Sequence, residues 1–92
     1  MHNYEIKPSL QRILNRLSKK DKKTYEQILD KIKEIINVEY IEHYKNLKHD
    51  LKEFKRVHIG HFVLVFKYDK KIDKVSFYDF DHHDKIYFKR YD

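Results

Sequence analysis

The apolar residues of this 92-residue sequence change their spacing once, after Asp50, from a helical period to a strand period. Before Asp50 they recur at intervals of three and four residues, and afterwards they alternate with polar residues. Each half can therefore bury one continuous face only as its own kind of secondary structure. Helices followed by strands are typical of a compact α+β fold, in which helices cover one side of a sheet.

Two amphipathic helices are predicted in the first half. Residues 3–6 have a strand-like pattern, and a helix begins at Pro8, because proline is tolerated in the first turn. Its apolar face runs to about Leu17, and a polar break is predicted at residues 18–23, where Asp21 can cap the next helix. The second helix has an apolar stripe formed by Tyr25, Ile28, Leu29, Ile32, Ile35 and Ile36. Neither stripe can be buried by the helix pair alone, so a sheet must lie against it.

Three strands are predicted in the second half, at residues 54–59, 62–68 and 75–80. The first two are separated by Gly60 and His61, and glycine at the first central position suits a two-residue type II′ turn. That turn sets Ile59 opposite Phe62 and gives an apolar face for the helices. The other face is predicted to be open and charged, and it carries Phe54, Arg56, His58, Val63, Val65 and Lys67.

The predicted order is β-α-α-β-β-β, with an N-terminal strand and a two-helix hairpin packed on a mainly antiparallel sheet. We expect residues 1–92 to form one domain.

Cysteine is absent, which excludes disulfides and cysteine-based zinc sites and suits the cytoplasm. The first nine residues are polar and charged, and no stretch approaches the roughly 18 apolar residues of a membrane span, so no membrane association is predicted.

Charge and histidine content indicate the chemistry. Subtracting 15 acidic from 21 basic side chains gives a net charge of +6, so a polyanion or an acidic protein is a natural partner. Two histidines held around a phosphodiester can act as base and acid without a metal or another cofactor. Six of the seven histidines lie after Ile41, namely His43, His49, His58, His61, His82 and His83. Any one of them taken alone is more often exposed or structural.

Metal binding is suggested by His82, His83 and Asp84, which are consecutive in sequence. Adjacent residues of an extended chain point to opposite sides and rarely bind one ion. We therefore predict no metal site.

Basic and aromatic residues are interleaved between Tyr44 and Tyr91. Cations that hold phosphates beside aromatic rings that stack on bases are typical of single-stranded RNA binding, although a solvated basic surface has a similar pattern. The residues predicted to bind RNA are Lys45, Lys48, His49, Lys52, Lys55 and His61.

From about Tyr44 to Tyr87 the sequence resembles the RelE/ParE superfamily of toxins, with the YafQ-like toxins as the most similar branch. The segments that carry the resemblance are LKEFKRVHIGHFVLVFKYD at residues 51–69 and FDHHDKIY at residues 80–87. The two preceding helices match the family in order and length. The resemblance implies a RelE-like fold for the whole chain.

The resemblance also implies catalytic residues. His58 falls where YafQ-like toxins keep a catalytic histidine at a strand end, and His83 falls on their C-terminal catalytic histidine. Tyr87 falls on an aromatic position implicated in orienting or activating the RNA. The sequence departs from the family where an acidic residue is expected, at His61, and where an upstream histidine is expected, at Lys45.

A third departure concerns charge. Many RelE-like toxins keep an arginine on the third strand, where this chain has Val63. Another cation must then neutralise the transition state, and the candidates are Arg56 and Lys45.

The implied function is that of a toxin which cleaves messenger RNA at the ribosome by attack of a ribose 2′-hydroxyl on the adjacent phosphate. A RelB-like antitoxin is the implied partner, in an assembly of two toxins and two antitoxins. His58 and His83 would be base and acid in either order, with Arg56 stabilising the phosphorane. Two alternatives stay open: a non-catalytic ParE-type toxin that poisons DNA gyrase, and a basic RNA-binding domain.

Overall fold

The computed structural model describes residues 1–91, and a single sheet organises them. The elements in chain order are β1 (Asn3–Ile6), α1 (Pro8–Lys20), α2 (Lys22–Asn37), β2 (Lys55–Ile59), β3 (Phe62–Asp69), β4 (Lys74–His82) and α3 (His83–Ile86). The strand order in the sheet is β1-β4-β3-β2. β1 runs parallel to β4 and the other pairs are antiparallel, so the predicted mainly antiparallel α+β fold is confirmed.

The break between α1 and α2 is much shorter than predicted, because α1 continues to Lys20 and only Asp21 separates the helices. Lys19 and Lys20 suit the last turn of α1, where the helix dipole favours cations. Asp21 ends one helix and caps the next, as predicted: its backbone N–H donates to the Leu17 carbonyl, and its carboxylate accepts from Thr24. Hydrogen bonds from Thr24 lower the pKa of the Asp21 carboxyl.

The β2–β3 hairpin has the predicted register. Ile59 pairs with Phe62, Val57 with Leu64 and Lys55 with Phe66. Gly60 has φ +64°, and His61 is not among the residues with positive φ, as a type II′ turn requires. β2 begins at Lys55 rather than Phe54, whose N–H is donated to Leu51.

The main core lies between the helices and one face of the sheet, as predicted. β3 contributes Leu64 and Phe66, both fully buried. The helices and β4 contribute the other central members, which include Leu10, Leu14, Ile28, Ile32, Ile35, Val75 and Phe77. This packing fixes which face of β2 and β3 points away from the helices.

The opposite face is not open, and that prediction is wrong. Val63 and Val65 are 1% and 0% exposed, beneath a second apolar cluster. The cover comes from the connection between α2 and β2 and from α3, through Leu47, Leu51, Phe54 and Ile86. The strand predicted at residues 75–80 is longer in the structure, because β4 continues to His82, and the chain then folds back over this face. Only the rim of the face, with Arg56 and His58, stays accessible.

An irregularity in β4 explains how the C-terminal segment is held. The register with β3 shifts between Val65 and Phe66, whose partners are Asp79 and Phe77. Tyr78 is the extra residue, so Tyr78 and Asp79 lie on the second face together, as a β-bulge allows. Asp79 is 4% exposed and accepts hydrogen bonds from Lys89 Nζ and the Tyr91 hydroxyl, both at 2.7 Å.

Within residues 1–91, every helix is too short or too polar to cross a bilayer.

Candidate active site

A groove of about 490 Å³ opens where β2, the connection that precedes it and α3 meet. The four predicted catalytic residues all line it, although they come from two separate parts of the sequence. Two of the residues predicted to bind RNA line it as well. Its full lining is Leu47, Lys48, His49, Arg56, His58, Val63, His83 and Tyr87.

The sheet sets the width of the groove. His58 pairs with Val63, and Val63 pairs with Asp81, so the three lie in one row across β2, β3 and β4. Because neighbouring strands are about 4.8 Å apart, His58 and Asp81 are separated by about 10 Å along that row. His83 follows Asp81 by two residues, at the start of α3. The buried Val63 side chain forms the floor between the two histidines.

Arg56 and His58 lie on the same face of β2, because they are two residues apart in a strand. The Arg56 guanidinium is 3.3 Å from Nε2 of His58. A guanidinium can only donate, so Nε2 is the acceptor and the proton of the neutral ring is on Nδ1. A cation and an imidazole lone pair are thus adjacent at one wall of the groove.

The opposite wall carries His83, with a carboxylate beside it. Nε2 of His83 is 2.9 Å from a carboxylate oxygen of Asp84. The ring of His83 also stacks on that of His82, with centroids 5.1 Å apart. Asp84 was not among the predicted site residues, although its place next to a predicted catalytic histidine was a signal that could have identified it.

Tyr87 connects two sides of the groove. Its hydroxyl accepts the backbone N–H of Lys48 at 3.1 Å, and its ring meets the edge of the His49 ring at 6.1 Å between centroids. Tyr87 is still 41% exposed, so an aromatic surface is available to a ligand. Lys48 and His49 are therefore the two residues predicted to bind RNA that the fold brings to the predicted catalytic residues.

The other four residues predicted to bind RNA lie outside the groove. Lys45 and Lys52 are exposed in the connection before β2. Lys55 is on the helix side of β2, where its Nζ donates to the Tyr44 carbonyl at 3.0 Å, and burial lowers its pKa. His61 is at the hairpin turn, with its ring stacked against His82 at 6.5 Å.

An ion cluster supports the wall that carries His83. Lys89 Nζ lies 2.7 Å from carboxylate oxygens of both Asp79 and Asp81. Burial alone would lower the pKa of Lys89, but its bonds to the two carboxylates outweigh burial and raise it. Burial likewise favours a higher pKa for Asp81, and the Lys89 and His82 hydrogen bonds reverse that effect. This cluster, and its role in fixing the end of β4, was missed because it depends on the bulge.

The sequence predicts no metal site because an extended chain would separate the side chains of His82, His83 and Asp84, but the chain is not extended there. The strand ends at His82 and α3 begins at His83. One possible ligand atom from each of the three residues therefore lies within 4.8 Å of the others.

Two sequence relatives cover almost the whole chain. One is named "Putative toxin RelE4", from Methanocaldococcus jannaschii, and is 54% identical over 98% of this chain and 95% of its own length. The other is an uncharacterized protein of Methanosarcina mazei, 47% identical over 95% of this chain and 100% of its own length. No family model matches the sequence.

Two solved structures resemble the whole fold. The toxin–antitoxin complex RelBE2 of Mycobacterium tuberculosis contains a chain with a TM-score of 0.72 and 14% identity, covering 89% of this chain and 91% of that one. The solution structure of the protein HP0894 of Helicobacter pylori has a TM-score of 0.64 and 18% identity, covering 91% of this chain and 97% of that one. A shared fold is what these two structures show.

Proposed function

We propose an activity for this chain, which belongs to the RelE family of toxins. It is an endoribonuclease that cleaves messenger RNA on the ribosome and so stops translation. The observation that carries the proposal is the meeting of Arg56, His58 and His83 in one groove. Two imidazoles and a guanidinium are the groups that metal-independent phosphodiester cleavage needs.

The reaction uses the RNA itself as nucleophile. A base removes the proton of a ribose 2′-hydroxyl, and the 2′-oxygen forms a bond to the adjacent phosphorus. The bond from phosphorus to the 5′-oxygen then breaks, and an acid gives that oxygen its proton. The products are a 2′,3′-cyclic phosphate and a free 5′-hydroxyl, so no water, metal or redox partner enters the balance.

Hydrogen bonds at the groove favour one order of proton transfer. Nε2 of His58 accepts from Arg56, so it carries a lone pair, and we assign His58 as the base. Nε2 of His83 faces the Asp84 carboxylate, which can only accept, so Nε2 carries a proton. We assign the imidazolium form of His83 as the acid, which becomes a neutral imidazole when it protonates the 5′-oxygen. When a phosphate enters, Arg56 can turn from His58 to a phosphoryl oxygen and stabilise the charge that develops on it.

RNA binding would use the aromatic and cationic wall of the groove. Tyr87 offers its exposed ring to a base, and Lys48 and His49 lie beside it. The exposed Lys45 and Lys52 extend the positive surface along the connection before β2. Such contacts follow the backbone of a single strand without reading much sequence.

We also propose a RelB-like antitoxin as the partner in the cytoplasm, in an assembly of two toxins and two antitoxins. Membership of the RelE family and the net charge of +6 support an acidic segment that covers the groove. Co-expression with the product of a neighbouring gene, followed by mass measurement of the purified complex, tests the partner and the stoichiometry.

The cleavage proposal is tested with His58→Ala and His83→Ala in a purified translation system. Each change removes one proton-transfer group, so we expect cleavage to fall by about 10² to 10⁴, with RNA binding retained. The matched control is His43→Ala, an exposed histidine outside the groove.

Undiminished cleavage in both active-site variants would remove the histidines from the mechanism. Growth arrest that persists when both His58 and His83 are replaced by alanine, together with gyrase-dependent DNA breaks, would instead identify a ParE-type toxin.

A further inference from the structure

Three consecutive metal-ligating side chains converge at the end of β4. His82 ends the strand, and His83 and Asp84 begin α3, so the chain turns where an extended segment would separate them. One ligand atom from each residue lies within 4.8 Å of the other two, and within residues 1–91 this is the one group of three that does so. Asp84 already contacts both rings, at 3.5 Å from His82 Nδ1 and 2.9 Å from His83 Nε2.

A zinc ion fits here once side-chain rotations bring the three ligand atoms closer together and His82 Nδ1 releases the Asp84 backbone N–H, from which it accepts at 3.3 Å. Tetrahedral zinc with bonds of about 2.0 to 2.1 Å holds neighbouring ligand atoms roughly 3.3 Å apart. The side chains of His82, His83 and Asp84 are 36%, 56% and 72% exposed, so they can rotate and the ion can enter directly from solvent. Two imidazoles and one carboxylate leave a fourth position for water, a donor set that suits zinc.

The ion would compete directly with the proposed reaction, because His83 also lines the groove. A ring nitrogen bound to a metal ion has no proton to give and no lone pair with which to take one. We propose that His82, His83 and Asp84 form a zinc site whose occupancy removes His83 from proton transfer, so that zinc inhibits this protein rather than activating it. The binding part of this inference is independent of the proposed function, and the inhibitory part rests on it.

Binding is tested on the full chain, free of any affinity tag and of RNA, by calorimetric titration with zinc chloride. We expect one saturable ion per chain and binding at least ten-fold weaker in both His82→Ala and Asp84→Asn. Asp84→Asn keeps the size of an exposed side chain, so it guards against a folding defect in His82→Ala. His43→Ala is the matched control and should bind zinc as the wild type does.

Absence of saturable binding would overturn the site, and so would equal affinity in the wild type, His82→Ala and Asp84→Asn. An equal loss in His43→Ala would show binding by scattered histidines and would overturn it as well.

Inhibition is measured as the ratio of cleavage with and without zinc for each variant, in a zinc-buffered translation reaction. We expect at least a ten-fold fall for the wild type, reversed by a chelator, and a ratio near one for His82→Ala. A zinc-binding wild type whose cleavage is insensitive to zinc would overturn the inhibitory role. Absence of cleavage in zinc-free buffer would count against the proposed function and leave the binding result standing.

Discussion

Arg56 is the residue that we propose neutralises the charge developing in the groove. Its guanidinium reaches His58, and Val63, where many RelE-like toxins keep an arginine, is a buried apolar floor residue. Lys45, the other candidate, does not line the groove. The structure therefore favours Arg56 over Lys45 as the cation that would neutralise the transition state.

Replacing Arg56 by alanine should lower single-turnover cleavage by about 10² to 10³, since a preorganised donor to the transition state is lost. The cleavage rate of Arg56→Lys should lie between those of the wild type and Arg56→Ala, because lysine keeps the charge but not the planar fork of donors. Arg16→Ala, on the exposed side of α1, is the matched control. Cleavage by Arg56→Ala as fast as cleavage by the control would show that another group neutralises the phosphorane.

Individual site residues differ in how far the sequence could identify them. The resemblance to a family predicts from the sequence alone that His58, His83 and Tyr87 share one site, and strand alternation puts Arg56 beside His58. For the residues predicted to bind RNA, the face of the strand determines whether they reach the groove. Lys55 is next to Arg56 in sequence but points to the helices. The role proposed for Asp84 depends on the turn from β4 into α3. The alternation of polar and apolar residues in the preceding strand does not predict that turn.

Among the elements, β4 and α3 determine the geometry of the groove. The bulge at Tyr78 puts two successive side chains on the second face, so a strict alternation rule misplaces part of β4. The hairpin was predictable because its register depends on local turn chemistry at Gly60. The cover over the second face was not, because it depends on contacts between Asp79 and residues ten and twelve positions later.

The ion cluster around Lys89 should stabilise this C-terminal cover. Lys89→Met removes the cation from the buried Asp79 and from Asp81, and we expect the free energy of unfolding to fall by about 1 to 3 kcal/mol. Urea denaturation measures the loss, and Lys71→Met, in an exposed turn, is the control. Amide exchange in α3 should rise more than exchange in α1. Equal stability of the two variants would mean that apolar packing alone holds the segment.

His2 links three distant parts of the chain and so bears on the stability of the entire fold. Its Nε2 is 2.6 Å from the Val38 carbonyl, and its Nδ1 is 2.5 Å from Asp73, which also accepts from the Tyr68 hydroxyl. Both ring nitrogens face acceptors, so the protonated ring satisfies both contacts. The Asp73 hydrogen bond, followed by that to Val38, raises the pKa of His2. His2 in turn lowers the pKa of Asp73.

Stability should depend on pH through this pair. The His2 contribution is complete below its unfolded pKa of about 6.5 and is lost as pH rises through the higher folded value. The Asp73 contribution is present above its unfolded pKa of about 3.9 and is lost as pH falls through the lower folded value. A double-mutant cycle with His2→Gln and Asp73→Asn should therefore show a larger coupling energy at pH 5.5 than at pH 8.5. The same coupling at both values would contradict the assignment.

We propose above all that this chain cuts messenger RNA as it is translated, using His58 and His83. Primer extension after expression of the wild type, on one message with and without a functional start codon, tests it most directly. We predict cuts only in the translated form, with 5′-hydroxyl ends downstream, and none when both histidines are alanine. Equal cutting of the two forms, absence of cuts in the translated message, or cuts made by the double variant would contradict this proposal.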